Sequence, residues 1–363
     1  MKEECESLKN CIEKGGTKAD KDQLCQKIAI KFREYSQPEK FLQETIANQL
    51  DIQIAGCDTS PVSSADPFLN YGALFHPIEK TPIRSMRNIA IQSDKALLDG
   101  VEIMTQSPST PPEKQKWIIA LNGNNAVVSS DSNAEHALYA RRTHTNFLSC
   151  DYRGVGNSTG FPSSEKDLIT DAESMVEYLK KKGVPPENIL LYGRSLGGGI
   201  AAQTAAKKGV HLATAMSFSS LQKTVPLLVR NAAMKTTVAF LGVLLSYLLS
   251  SFVGYVAGKL LPSKDWSLNS SSVLQDIRKK GRQVAVLNAR YGDNIIPHEA
   301  SLRAAVKANQ AEKSIALFTT HDDPQILREQ HDFAEIHNDP LSKHPEVEAA
   351  FLKEIRHMLQ IDD

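Results

Sequence analysis

An apolar run, Ile189-Leu190-Leu191-Tyr192, leads straight into Gly193-Arg194-Ser195-Leu196-Gly197 and then into an alanine-rich stretch. As strand, sharp turn and helix, this Gly-x-Ser-x-Gly frame would lift the Ser195 hydroxyl above a sheet edge, at a helix N-terminus whose dipole favours developing negative charge. Gly193 and Gly197 have no Cβ, so the turn can close tightly. A glycine-rich turn with an inert serine is the bland alternative; the agreement of strand, glycines and helix favours a nucleophile. A serine needs a base and a group to orient that base. Asp293 suits the orienting acid, because it follows the apolar run Val284-Ala285-Val286-Leu287, although an aspartate there could also cap the helix expected from His298.

Several histidines compete for the base. After the last apolar run come His321, with Asp322 and Asp323 beside it, then His331, His337 and His344, and His357 lies later in the closing helix. The base belongs between the last strand and the last helix. His321, His331 and His337 all satisfy that, and local sequence does not separate them. A tetrahedral intermediate also requires preorganised N–H donors. The amide of Leu196 is one candidate. The amide of Asn124 is the other, in Leu121-Asn122-Gly123-Asn124-Asn125-Ala126, where Gly123 would let the backbone approach substrate; a simple turn is the alternative.

These residues must be positioned by a framework. Apolar runs at 89–91, 100–104, 117–121, 147–150, 189–192, 212–218, 284–287 and 315–318 read as strands. From the third onward they are separated by helical stretches, notably 164–182, 196–208, 298–309 and 345–359. This is the pattern of an α/β protein with a mostly parallel eight-stranded sheet and helices on both faces. Residues 1–67 read as a helical N-terminal extension, with apolar residues spaced as on amphipathic helices and a Ser/Pro-rich junction at its end. Residues 84–363 form the expected catalytic domain, and 221–272 an apolar lid or cap inserted in it.

Composition closes off other classes. The chain has 363 residues, 41% apolar and 23% charged, with 42 basic and 42 acidic side chains. That excludes a disordered or collagenous protein and implies no basic surface for nucleic acid. Five cysteines, at 5, 11, 25, 57 and 150, form no Cys-x-x-Cys pair. They disfavour both a disulfide framework and a zinc site, and suggest a reducing compartment. The acidic N-terminus is not a Sec-type signal peptide.

Within the insertion, residues 236–258 carry no Asp, Glu, Lys, Arg or His. A straight helix of that length would be about 35 Å, enough for a bilayer core of about 30 Å. One crossing would put Ser195 on the opposite side from Asp293 and the histidines, so it conflicts with a shared site. Two expectations remain: a lid that dips its apolar face into a membrane, or a buried cap. Gly242, Ser246, Ser250, Gly254 and Gly258 recur every fourth residue and permit close helix contact in either setting.

The serine motif and Asp151-Tyr152-Arg153-Gly154-Val155-Gly156-Asn157-Ser158-Thr159-Gly160 together resemble the α/β-hydrolase fold, the latter being like that family's loop after the fourth strand. Gly193-Arg194-Ser195-Leu196-Gly197-Gly198 resembles the nucleophile elbow of Bem46-like and ABHD-type members. His337-Asn338-Asp339 is similar to the segment holding their catalytic histidine, and this likeness selects His337. The helical N-terminus and the Asn-Asp-Pro-Leu segment more loosely resemble the SidB-like and CHLPS hydrolases of intracellular bacteria. Asn122-Gly123 stands where the family often has His-Gly.

The resemblance implies hydrolysis of an ester, thioester or amide through an acyl-enzyme, with no metal or organic cofactor. Ser195 would attack, His337 would move the proton, Asp293 would orient His337, and the Leu196 and Asn124 amides would hold the oxyanion. The expected substrate is an acyl ester or acylated small molecule or protein. A membrane surface is the expected partner of 236–258, and the expected location is cytoplasmic or membrane-associated, including delivery as a bacterial effector to host cytoplasm. A catalytically silent scaffold or a serine peptidase are the alternatives.

Overall fold

The computed structural model describes residues 84–123, 128, 131–241, 266–309, 314–325 and 335–361. The strands are β1 (Ser85–Ser93), β2 (Ala96–Met104), β3 (Trp117–Leu121), β4 (Asn146–Cys150), β5 (Ile189–Arg194), β6 (His211–Ala215), β7 (Val284–Ala289) and β8 (Ala316–Thr320). They form one eight-stranded sheet in the order β1-β2-β4-β3-β5-β6-β7-β8. The β1–β2 and β2–β4 pairs are antiparallel and the remaining pairs are parallel.

Each apolar run marks a strand, with shifted ends in all but β3. β1 and β2 extend beyond their runs because their outer halves carry exposed residues such as Arg87, Asn88 and Leu97, and an edge hairpin with a wetted face shows alternation rather than a continuous run. β6 stops at Ala215, since Met216 adopts φ +49° and turns the chain out of the sheet.

The helices are α1 (Asp131–Arg142), α2 (Glu165–Lys181), α3 (Leu196–Lys208), α4 (Leu221–Leu241), α5 (Ser270–Lys279), α6 (Leu302–Ala308), α7 (Glu335–Asn338) and α8 (Pro345–Met358). The single helix expected over 298–309 is broken at Ser301, which is extended and caps α6 by accepting from the Ala304 amide at 3.1 Å. Helix α5 was hidden by its serine-rich start. Asn269 caps it, accepting from the Ser272 amide at 3.2 Å.

The strand period of two divides the core into two layers. Trp117, Ile119, Leu121, Ile189, Leu191, Val284 and Val286 pack with residues of α2, α3, α5 and α6. Their alternates Ile118, Ala120, Leu190, Tyr192, Ala285 and Leu287 pack with α1 and α8. All residues of β3, β4, β6 and β7 are buried, as a strand covered on both faces requires. Because β3 and β5 to β8 run parallel, the loops that follow them emerge on one edge of the sheet.

The expected extension at 1–67 lies outside the described residues, as do His331 and 242–265 of the insertion. Among the described residues no helix is long and apolar enough to cross a membrane.

One buried charged group ties the β1 edge to α2. Asp171, fully buried, accepts from the Arg153 side chain at 2.8 Å, the Arg153 amide at 2.9 Å and Ser93 Oγ at 2.7 Å. Removing Asp171 takes the main partner from the buried Arg153 and leaves it only the more exposed Asp167, at 3.1 Å. Asp171→Ala is therefore expected to lower unfolding stability by about 3–5 kcal/mol, read from urea denaturation followed by circular dichroism. An unchanged midpoint would contradict this role.

Candidate active site

The turn from β5 to α3 is tight because backbone occupies the space a side chain would need. A Cβ on Gly193 would lie 2.3 Å from the Gly197 carbonyl oxygen, and one on Gly197 would lie 2.0 Å from that of Leu121. Between them Ser195 takes φ +52° and ψ −119°. A non-glycine residue in that region costs of order 1–3 kcal/mol and persists only where its surroundings impose it. Here the Ser195 amide donates to Ala215 O at 3.0 Å, and its carbonyl accepts from the Gly198 amide and Ser217 Oγ, each at 3.0 Å. The residue is partly exposed at the head of α3. Leu196 is the first residue of α3, so its N–H has no carbonyl acceptor within its own helix. Gly123 packs against this turn, its Cβ position 3.4 Å from both Arg194 O and Ser195 Cβ. Asn124 lies outside the described residues.

Across the edge, Asp293 stands in the loop after β7. Its Oδ1 accepts from the amides of Ile295 at 2.9 Å and Ile296 at 2.8 Å, and its Oδ2 from His337 Nδ1 at 2.9 Å. Asp293 is thus engaged by the turn that follows it and by His337. Both side chains of the pair are buried. With an ionised carboxylate this bond requires the proton on Nδ1, and in a neutral imidazole Nε2 is then the acceptor.

Of the rival histidines, His321 binds elsewhere. Its Nε2 pairs with Asp339 Oδ2 at 3.1 Å rather than with Asp322 or Asp323, and Asp322 pairs with Arg290. The structure therefore brings Asp293 to His337 and not to His321.

Sequence reasoning missed Arg194. Its Nη2 donates to the carbonyls of His337 at 2.7 Å and Asp339 at 3.0 Å, while Nη1 faces Glu135 at 3.7 Å. The residue before Ser195 thereby anchors the segment that carries His337. An arginine inside the elbow was visible; its partners, more than 140 positions away, were not.

A cavity of about 440 Å³ adjoins the acid's loop, lined in part by Arg230, Asn231, Tyr291, Asp293 and His298. Neither Ser195 nor His337 lines it. Asn231, on the helix that opens the insertion, donates to Asn294 O at 3.4 Å, so the insertion begins in contact with this loop.

The family model of the Chlamydia CHLPS protein (DUF818) matches residues 64–253, just over half of the chain. The chain belongs to this family. It has the α/β-hydrolase fold and is Bem46- and ABHD-like. It is 36% identical over 141 residues to a multifunctional-autoprocessing repeats-in-toxin protein of Vibrio cholerae, covering 36% of this chain and 3% of that protein. It is 37% identical over 83 residues to alpha/beta hydrolase domain-containing protein 17C of Xenopus tropicalis, covering 23% and 26%. To protein bem46 of Schizosaccharomyces pombe it is 29% identical over 137 residues, covering 37% and 44%. Less than half of each relative's length is thus spanned. A Pyrococcus furiosus esterase structure superposes with a TM-score of 0.49 at 16% identity, covering 76% of this chain and 90% of that one.

Asp151, the residue after β4, holds the backbone at Val128. Its Oδ1 accepts from the Val128 amide at 2.7 Å. Burial pushes this carboxyl up to about 7, opposed by the Val128 hydrogen bond and assisted by Asp99. Between about 4, the ordinary carboxylate value, and about 7 the folded protein holds a proton that the unfolded chain has released. Stability from this group is therefore present below that window and lost as pH rises through it. Asp151→Asn keeps an acceptor for Val128 and removes the titration. Urea midpoints at pH 5 and pH 8 should show a smaller decline for this variant than for wild type, and equal declines would rule the assignment out.

Proposed function

We propose that the chain is a serine hydrolase that cleaves an ester or thioester of a hydrophobic acyl chain through an acyl-enzyme on Ser195. The observation that carries this reading is the buried Asp293–His337 pair at 2.9 Å, on a segment bound by the arginine adjoining a strained serine. The pair leaves Nε2 of His337 as a general base. His337 takes the Ser195 proton as Oγ attacks the acyl carbonyl, and returns it to the leaving group. Asp293 holds the tautomer and stabilises the imidazolium. The Leu196 amide, at the head of α3, and the Asn124 amide receive the oxyanion. Water then repeats the sequence on the acyl-enzyme. No metal or organic cofactor takes part.

The apolar stretch at 236–258 supports a hydrophobic acyl group and a lid that contacts a membrane surface, because a face of that composition gains free energy by leaving water. Contact between the insertion's first helix and the loop of Asp293 is consistent with a lid beside the site. Likeness to part of a Vibrio toxin supports action as a bacterial effector in host cytoplasm.

A fluorophosphonate probe is expected to label wild type and not Ser195→Ala. With p-nitrophenyl esters, Asp293→Asn should lower kcat by roughly 10⁴-fold through loss of the productive tautomer, and turnover should favour long over short acyl chains. Amide-only turnover would reject the ester reading. No labelling of wild type, even with detergent or liposomes present, would leave a silent scaffold instead.

A further inference from the structure

We infer that His321, Asp339 and His344 form a binding site for one divalent transition-metal ion of the Zn²⁺ class, separate from the Asp293–His337 pair. They come from the loop after β8, the loop after α7 and the residue preceding α8, and one ligand-capable atom of each lies within 4.8 Å of the other two. Two imidazoles and a carboxylate are a donor set that Zn²⁺ accepts, with water in the fourth position. A tetrahedron with bonds of about 2.0–2.1 Å has edges of about 3.3 Å, so a modest closure of the side chains would complete it. His321 Nε2 and Asp339 Oδ2 are already 3.1 Å apart.

Three further observations favour a ligand here. The His321 side chain, whose Nε2 faces Asp339, is only 6% exposed, and Nε2 of His344 is buried without a hydrogen-bond partner. Buried polar atoms left unpaired are costly, and a bound ion with its water offers such nitrogens a partner. His321 also adopts φ +50°, unusual for a residue with a Cβ, and its carbonyl is fixed by the Tyr291 amide at 3.2 Å. The two imidazole rings meet edge to face with centroids 4.4 Å apart, which crowds two rings around one small volume.

Lys343 opposes the ion, because Nζ donates to Asp339 Oδ1 at 2.6 Å. That lysine is 47% exposed and four residues along the chain from its partner, and an ion pair with so exposed a lysine contributes little and yields readily to a competing cation. Arg194 binds the backbone carbonyls of both His337 and Asp339. An ion on Asp339 would therefore steady the segment that carries His337; this consequence rests on the proposed role of His337, whereas metal binding does not.

The test titrates the full chain, stripped with a chelator, with Co²⁺ and then Zn²⁺. Expected are one Co²⁺ per chain with visible tetrahedral d–d bands, displacement of those bands by Zn²⁺, and a rise of several degrees in Tm with metal. His321→Ala and His344→Ala each delete a ligand and should weaken binding by at least about 100-fold, beyond the 10–100-fold that loss of a supporting partner costs, while retaining the wild-type circular dichroism spectrum. If either alanine variant is unfolded, the corresponding Gln variant replaces it. Lys343→Gln should bind at least as tightly as wild type, and Ser195→Ala equally well. Absence of a Co²⁺ spectrum at millimolar metal, or undiminished binding in the histidine variants, would overturn the site. Either result leaves the fluorophosphonate test of Ser195 unaffected.

Discussion

The approach of α3 to β5 and β3 sets the terms for the rest of the molecule. Where Gly197 passes the Leu121 carbonyl there is room for two backbones and nothing else. That closeness bends the chain at Ser195 into a conformation an isolated peptide would avoid, and the cost is met by the hydrogen bonds to Ala215, Gly198 and Ser217. The strain is sustained because β5 lies in the middle of the sheet, covered on both faces by core residues. A residue placed there inherits the rigidity of the core.

The same edge gathers the other groups by topology rather than by proximity in sequence. Parallel strands release their following loops on one side, so Asp293 after β7 and the segment after β8 converge near the end of β5. Arg194 then closes the arrangement with two hydrogen bonds to backbone carbonyls. The charge on this arginine is balanced by Glu135 of α1. In this way the layer on one face of the sheet contributes to positioning groups on its edge.

Electrostatics divide the titratable residues into distinct roles. Asp293 accepts from two amides and an imidazole, so its oxygens are committed to orienting His337. Asp151 is pushed toward the neutral form by burial and accepts from the Val128 amide. His321 and His344 meet edge to face, with the Asp339 carboxylate beside His321.

The sequence by itself determined the eight strands, the mostly parallel sheet, and the serine frame, because each is written in local periodicity or in glycines whose missing Cβ atoms a tight turn requires. It also placed Asp293, whose position after a strand is a local property. It did not choose among His321, His331 and His337 on local grounds, and only the likeness of His337-Asn338-Asp339 to a known segment favoured one. Tertiary structure alone decided that His337 meets Asp293 and that His321 meets Asp339, since partners 44 and 18 positions apart are joined by the crossing of loops. The split at Ser301, the serine-hidden start of α5 and the Arg194 anchor were likewise decided by caps and long-range hydrogen bonds. Such interactions depend on where two distant backbones arrive together, which no single window of residues encodes.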